Sequence, residues 1–138
     1  MYFCDMKDEK INIEKTIKHW IETSDKDYNT MNHLFKTKDY HWALFIGHIV
    51  IERLLKAGVV NATAQHPPFT HDLRRLAKLS NIEFKDLHYD WLDTITTFNL
   101  NARYESYKQA FYMKCTFDFT SEWVENIKKL RKWIKGKL

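Results

Sequence analysis

Three groups of side chains have types and spacings that could do chemistry. Asn99 and Arg103 stand four apart in "FNLNARY", with Tyr104, Tyr107 and Lys108 close behind. On a helix they share a face, where the guanidinium offers a planar fork of donors for phosphate and the tyrosines offer faces for stacking. The bland reading of Arg103 is a cation at a helix end, bonded to loop carbonyls or to a carboxylate such as Glu105 or Asp72. His41, His48, Glu52 and Lys56 form the second group, falling within about 80° of one another at helical geometry. Such a narrow stripe makes either an intrahelical His–Glu–Lys ladder at a helix seam or the wall of a polar cleft. In the third group, "THDL", Thr70 can cap a helix and Asp72 can sit at its positive end, which leaves His71 as a loop anchor or a site residue. His66 and His71 are five apart rather than three or four, so no helical zinc pair is expected and no metal or cofactor is assigned.

These groups need elements to carry them. Only three Gly and two Pro in 138 residues argue against a turn-rich β fold, and 44% hydrophobic residues can fill one core. Apolar residues Ile13, Ile17, Trp20, Ile21, Tyr28, Met31 and Phe35 recur at helical spacing and predict a helix over 11–37. A second, from Tyr40 to Val59, is apolar nearly all round, so it is central or lies between the core and a partner chain. "NATAQHPPF" reads as loop, followed by a short helix capped by Thr70 and a fourth helix from Lys85 that carries Asn99 and Arg103. After Tyr104 no period is sustained, so a long irregular loop is expected, packed across the bundle by Phe111, Tyr112, Phe117 and Phe119; a last helix then starts at Thr120 or Ser121. The expectation is an all-α antiparallel bundle of four long helices and one short one, with residues 1–10 a flexible segment and 11–138 a single domain.

Composition sets limits on function. Twenty-two Lys and Arg against 18 Asp and Glu give a net charge of +4, which permits contact with nucleic acid without arguing for it. No apolar run reaches the roughly 18 residues of a membrane helix. Cys4 and Cys115 are the only cysteines, so no disulfide framework is indicated and the reducing cytoplasm is the expected setting.

The segments "DYHWALFIGHIVIERLLKAGVV", "PPFTHDLRRL" and "FNLNARY", in this order, resemble the prokaryotic HEPN domain over about residues 16–135. The family shows a Tyr entering its second helix, an Ala-rich run ending in Glu, one further residue and Leu-Lys-Ala, a Thr-His-Asp-Leu helix start, and an Ala-Arg-Tyr near the end of the fourth helix. The resemblance implies a helical bundle, commonly a homodimer, that acts on or binds RNA or nucleotides and is often partnered with a minimal nucleotidyltransferase of the MNT type in a toxin–antitoxin pair. Some such toxins are nucleotidylated on a tyrosine, which would direct attention to Tyr104 or Tyr107. Ribonuclease members use an Arg followed after four to six residues by a His. Arg103 matches that Arg, but the corresponding positions here are Lys108, Gln109 and Ala110, and no histidine follows Arg103. The reading is therefore of a non-catalytic HEPN-like protein that binds nucleotide or RNA phosphate, against two alternatives: an endoribonuclease with an atypical base, and a structural dimerisation module.

Overall fold

A computed structural model describes residues 11–138. The expected flexible segment 1–10, with Cys4, lies outside the described residues. Six helices fill the described chain: α1 (Ile13–Lys36), α2 (Tyr40–Thr63), α3 (Leu73–Leu79), α4 (Asp86–Arg103), α5 (Glu105–Lys114) and α6 (Phe117–Lys135).

Helix α1 begins where the Asn12 side chain accepts a hydrogen bond from Lys15 N at 3.0 Å. It turns into α2 through three residues, with Lys38 in the left-handed region at φ 66°. So tight a connection forces the two long helices antiparallel. Ser24 Oγ donates to the Val50 carbonyl at 2.7 Å, and Asp27 pairs with Arg53 at 2.7 Å. Helix α2 touches all five others, which explains its nearly all-round apolar surface without any partner chain. Its Leu44, Val50, Ile51, Leu54 and Leu55 are fully buried. Gly47 marks the closest approach, since a Cβ there would stand 2.6 Å from Ile127 Cδ1 of α6.

The bundle matches the expected fold class, and the helix limits refine it. Helix α2 runs past Val59 to Thr63 and ends on Ala64 at φ 56°. Asp72, rather than Thr70, caps α3, accepting from Arg75 N at 3.4 Å, while Thr70 Oγ1 accepts from Asp72 N.

The expected long loop before the last helix is a correction. Tyr104 is a single extended residue, after which α5 forms and docks through Phe111, its one buried side chain. A helix held by one anchor shows no period in its sequence, which is why 105–114 read as irregular. Phe111 meets Phe98 at 5.7 Å between ring centroids, Phe119 packs on the same ring at 6.3 Å, and Phe117, though half exposed, stacks on Phe35 of α1 at 5.8 Å, so these three pack as expected; Tyr112 is exposed and touches only the rim, beside His41. Helix α6 starts at Phe117, not at Thr120 or Ser121, because Thr116 accepts from Phe119 N at 3.2 Å. Its Val124, Ile127, Leu130 and Ile134 enter the core, and Arg131 and Lys135 both bond Asp25 of α1, at 3.0 and 2.9 Å.

Candidate functional site

Helix α2 presents His48, Glu52 and Lys56 at successive turns, and all three are buried. The α2–α3 connection lays His71 against this row. It is fixed there by the start of α3, where Leu73 N donates to Thr96 Oγ1 of α4 at 3.2 Å and Arg74 makes a paired 2.9 Å contact with Asp93. Helix α4 completes the arrangement with Asn99 and Arg103 one turn apart.

The hydrogen bonds run in two connected chains, and donor chemistry fixes their direction. Arg103 Nε can only donate, and it reaches Asn99 Oδ1 at 2.6 Å. The Asn99 amide nitrogen therefore faces His48 Nδ1, at 3.3 Å. His48 Nδ1 accepts, so its proton sits on Nε2, which donates to the His71 carbonyl at 3.0 Å. In the second chain His71 Nδ1 donates to Glu52 Oε1 at 2.7 Å, and Lys56 Nζ donates to Glu52 Oε2 at 3.0 Å. The Lys56 ammonium also lies 5.2 Å from the centre of the Trp20 ring.

Burial sets the protonation of this network. Complete burial drives the His48 pKa down to about 4, against the pull of the Glu52 carboxylate and the His71 carbonyl, so the ring is neutral at neutral pH. Burial also pushes the Glu52 carboxyl upward, but the bonds from His71 and Lys56 and the nearness of His48 outweigh it and hold the group below the usual range. Glu52 is thus a buried carboxylate with a donor on each oxygen.

The network opens to solvent at a cleft of about 360 Å³ lined by His71, Asp72, Thr96, Thr97, Asn99, Leu100 and Arg103. The His71 side chain is 47% exposed there. Arg103 is exposed and uses only Nε within the chain; among the described residues no carboxylate pairs with it, neither Glu105 nor Asp72. Its guanidinium stands 5.3 Å from the centre of the Tyr104 ring.

Of the residues singled out in the sequence, His71, Asp72, Asn99 and Arg103 line one cleft, with the Arg103 guanidinium beside the Tyr104 ring, while His48, Glu52 and Lys56 lie buried behind it and join it only through hydrogen bonds. Tyr107 is exposed and does not line it. Lys108 lines a different cleft of about 250 Å³ with His41, Glu105, Gln109 and Tyr112. His41 accordingly leaves the stripe and faces that second opening, its pKa lowered by partial burial and by the Lys108 charge. Thr96, Thr97 and Leu100 were not singled out, although Leu100 is an exposed leucine in the turn between Asn99 and Arg103, which was the available signal. Phe69 was also passed over; it is 96% exposed and sits 6.1 Å from the His71 ring. Among the described residues no group of three or more His, Cys, Asp or Glu could hold a metal ion.

Comparison with known proteins gives one family and one fold. No curated protein matches the chain significantly. The crystal structure of TT1696 from Thermus thermophilus superposes on it with a TM-score of 0.76, covering 88% of this chain and 98% of that one at 16% identity, a likeness in fold. The HEPN domain matches residues 17–137, nearly the whole described bundle, and the chain belongs to the HEPN domain family.

Proposed function

We propose that this HEPN protein binds the phosphate of a nucleotide or an RNA in the cleft headed by Arg103, and that it does so as a homodimer partnered with a minimal nucleotidyltransferase. The observation that carries the reading is the state of Arg103. Its Nε is held by Asn99 while the two terminal nitrogens meet no carboxylate, leaving an oriented, uncompensated fork at the mouth of a cleft. Exposed Phe69 and Leu100 beside the cleft supply apolar surface for a second chain. No described helix is long and apolar enough to cross a membrane, and the reading places the protein in the cytoplasm.

Fluorescence anisotropy with a labelled RNA oligonucleotide, and separately with labelled ATP, tests the binding. Losing a hydrogen bond to a charged group removes about 1.5–3 kcal/mol. Arg103→Ala should therefore weaken binding roughly 10- to 100-fold and flatten its salt dependence by about one phosphate contact. Equal affinity of wild type and variant refutes the reading. Light scattering of the protein mixed with the nucleotidyltransferase encoded beside it tests the partnership, with a joint complex as the expected result.

A further inference from the structure

At the opposite end of α4 from Arg103, the C-terminal turns of α6 frame a cleft that phosphate binding does not use. His88, near the start of α4, packs on Trp133 of α6 at 4.3 Å between ring centroids. The stretch from His88 to Arg103, about 22 Å of helix, separates this cleft from the other. It encloses about 490 Å³ and is lined by Lys129, Lys132, Trp133, Gly136 and Lys137. We infer that it is a docking site for an acidic segment of another protein, which inserts one apolar side chain between the lysines and sets its carboxylates against their ammonium groups.

Helical spacing brings the lining together. Lys129, Lys132, Trp133 and Gly136 fall within about 100° of one another at helical geometry, and Lys137 follows just beyond the end of α6. Trp133 is half-buried, its ring packed on His88 at 4.3 Å and on Phe84 at 5.0 Å, with the Lys137 ammonium 5.0 Å from its centre. The indole and the methylene stems of the lysines give the cleft a mostly apolar lining beneath a charged rim. Gly136 adds no bulk to the wall, so the hollow stays open.

Charge decides the occupant. The other cations late in α6 are neutralised within the fold: Arg131 and Lys135 bond Asp25 at 3.0 and 2.9 Å, and Lys128 faces Glu125 at 3.9 Å. Lys129, Lys132 and Lys137 are exposed, and among the described residues no carboxylate pairs with them. The helix macrodipole favours cations at a C-terminus, which accounts for their sign but not for an apolar hollow between them. Three unpaired ammonium groups around such a hollow complement a segment that sets carboxylates on either side of a large apolar residue. A bilayer fits less well, because the apolar part of the cleft, the half-buried Trp133, lies below the exposed lysines. A nucleic acid fits less well too. Stacking a base needs an open ring face, and the Trp133 ring is already engaged by His88, Phe84 and Lys137.

The test is fluorescence anisotropy of the full chain with a library of labelled peptides in which Leu, Phe or Trp is flanked on both sides by Glu or Asp. Binding members should weaken with added salt. They should lose about 10-fold in affinity when their acids become Gln and Asn, and about as much when the apolar residue becomes Ser. Lys129→Gln, Lys132→Gln and Lys137→Gln combined should match the loss seen with the neutral peptides. Gly136→Leu keeps every charge, and the fold tolerates it: residue 136 has φ −66°, and a Cβ there meets only the Trp133 and Lys132 carbonyls, at 3.4 and 3.6 Å. With its fold checked by circular dichroism, it should bind at least about 10-fold more weakly. Arg103→Ala should bind these peptides as wild type does, whatever becomes of phosphate binding. The inference is overturned when no acidic peptide binds better than its neutral counterpart, or when Gly136→Leu binds as wild type does. Phosphatidylserine vesicles or a labelled RNA held by wild type and by Gly136→Leu, but not by the triple variant, would make the lysines a general anionic surface and overturn it as well. Self-association in light scattering that Gly136→Leu abolishes would put a second copy of this chain in the cleft instead.

Discussion

Lowering the pH should destabilise this fold, and His48 makes a contribution whose size follows from its position. In the folded chain its pKa is about 4, against an ordinary value of 6.5. A histidine whose folded pKa is depressed binds its proton more readily in the unfolded chain, so its contribution is fully present above about 6.5 and is lost as the pH falls toward 4. At 1.36 kcal/mol per unit, the 2.5 units between those values amount to about 3 kcal/mol, of which roughly 2 kcal/mol is already lost near pH 5. The physical source is the network: a proton on Nδ1 would face the Asn99 amide, itself a donor, in a site closed to solvent. His41, His88 and Glu52 also have lowered pKa values and steepen the raw curve, so the decisive quantity is a difference. Urea unfolding of wild type and His48→Gln at neutral pH and near pH 5 isolates it, since glutamine keeps a donor and an acceptor but does not titrate. The gap between the two proteins should shift against wild type by about 2 kcal/mol on acidification. Parallel pH dependences would refute the neutral, Nε2-protonated assignment, and with it the direction of the chain from Arg103 to His71.

The bundle was legible in the sequence because four of its helices bury a stripe or a whole surface, and burial leaves a period. Ile13 to Phe35 and Trp123 to Ile134 announce one-sided helices, and the all-apolar run after Tyr40 announces the one that every other helix touches. Helix α5 left no such trace, since a single buried phenylalanine carries its docking. Capping was misassigned at α3 because Thr70 and Asp72 are both capping residues and only the backbone path decides which side chain reaches the first turn. For the site, helical spacing alone grouped His48 with Glu52 and Lys56, and Asn99 with Arg103. What spacing could not supply was contact between elements. His71 meets Glu52 across 19 positions and Asn99 meets His48 across 51, so the union of the three groups into one network depends on tertiary packing. The same limit separated Lys108 from Arg103: five positions apart, they are split by the break at Tyr104 into helices that face different openings.

Two further outcomes follow from single buried groups. Phe111→Ala should cost about 3–5 kcal/mol, as emptying a buried phenylalanine site does, and should release α5 first, read as faster amide hydrogen exchange over 105–114. The Cys115 thiol is buried and its pKa is pushed up to about 11 by that burial, so in a Cys4→Ser background alkylation by iodoacetamide should be slow in the native protein and become fast only with unfolding. Asn99 offers the sharpest separation of fold from function, because it is buried and its two ends serve different partners. Asn99→Leu leaves His48 Nδ1 as a buried acceptor with no donor, which should cost about 1–3 kcal/mol, whereas exposed Arg103 recovers its hydration and loses only its orientation. Binding should then weaken by less than in Arg103→Ala, with the salt dependence of wild type retained, since the charge is still present. A variant that instead loses both affinity and salt dependence as fully as Arg103→Ala would mean that Asn99 itself contacts the phosphate, rather than acting through the orientation it gives Arg103.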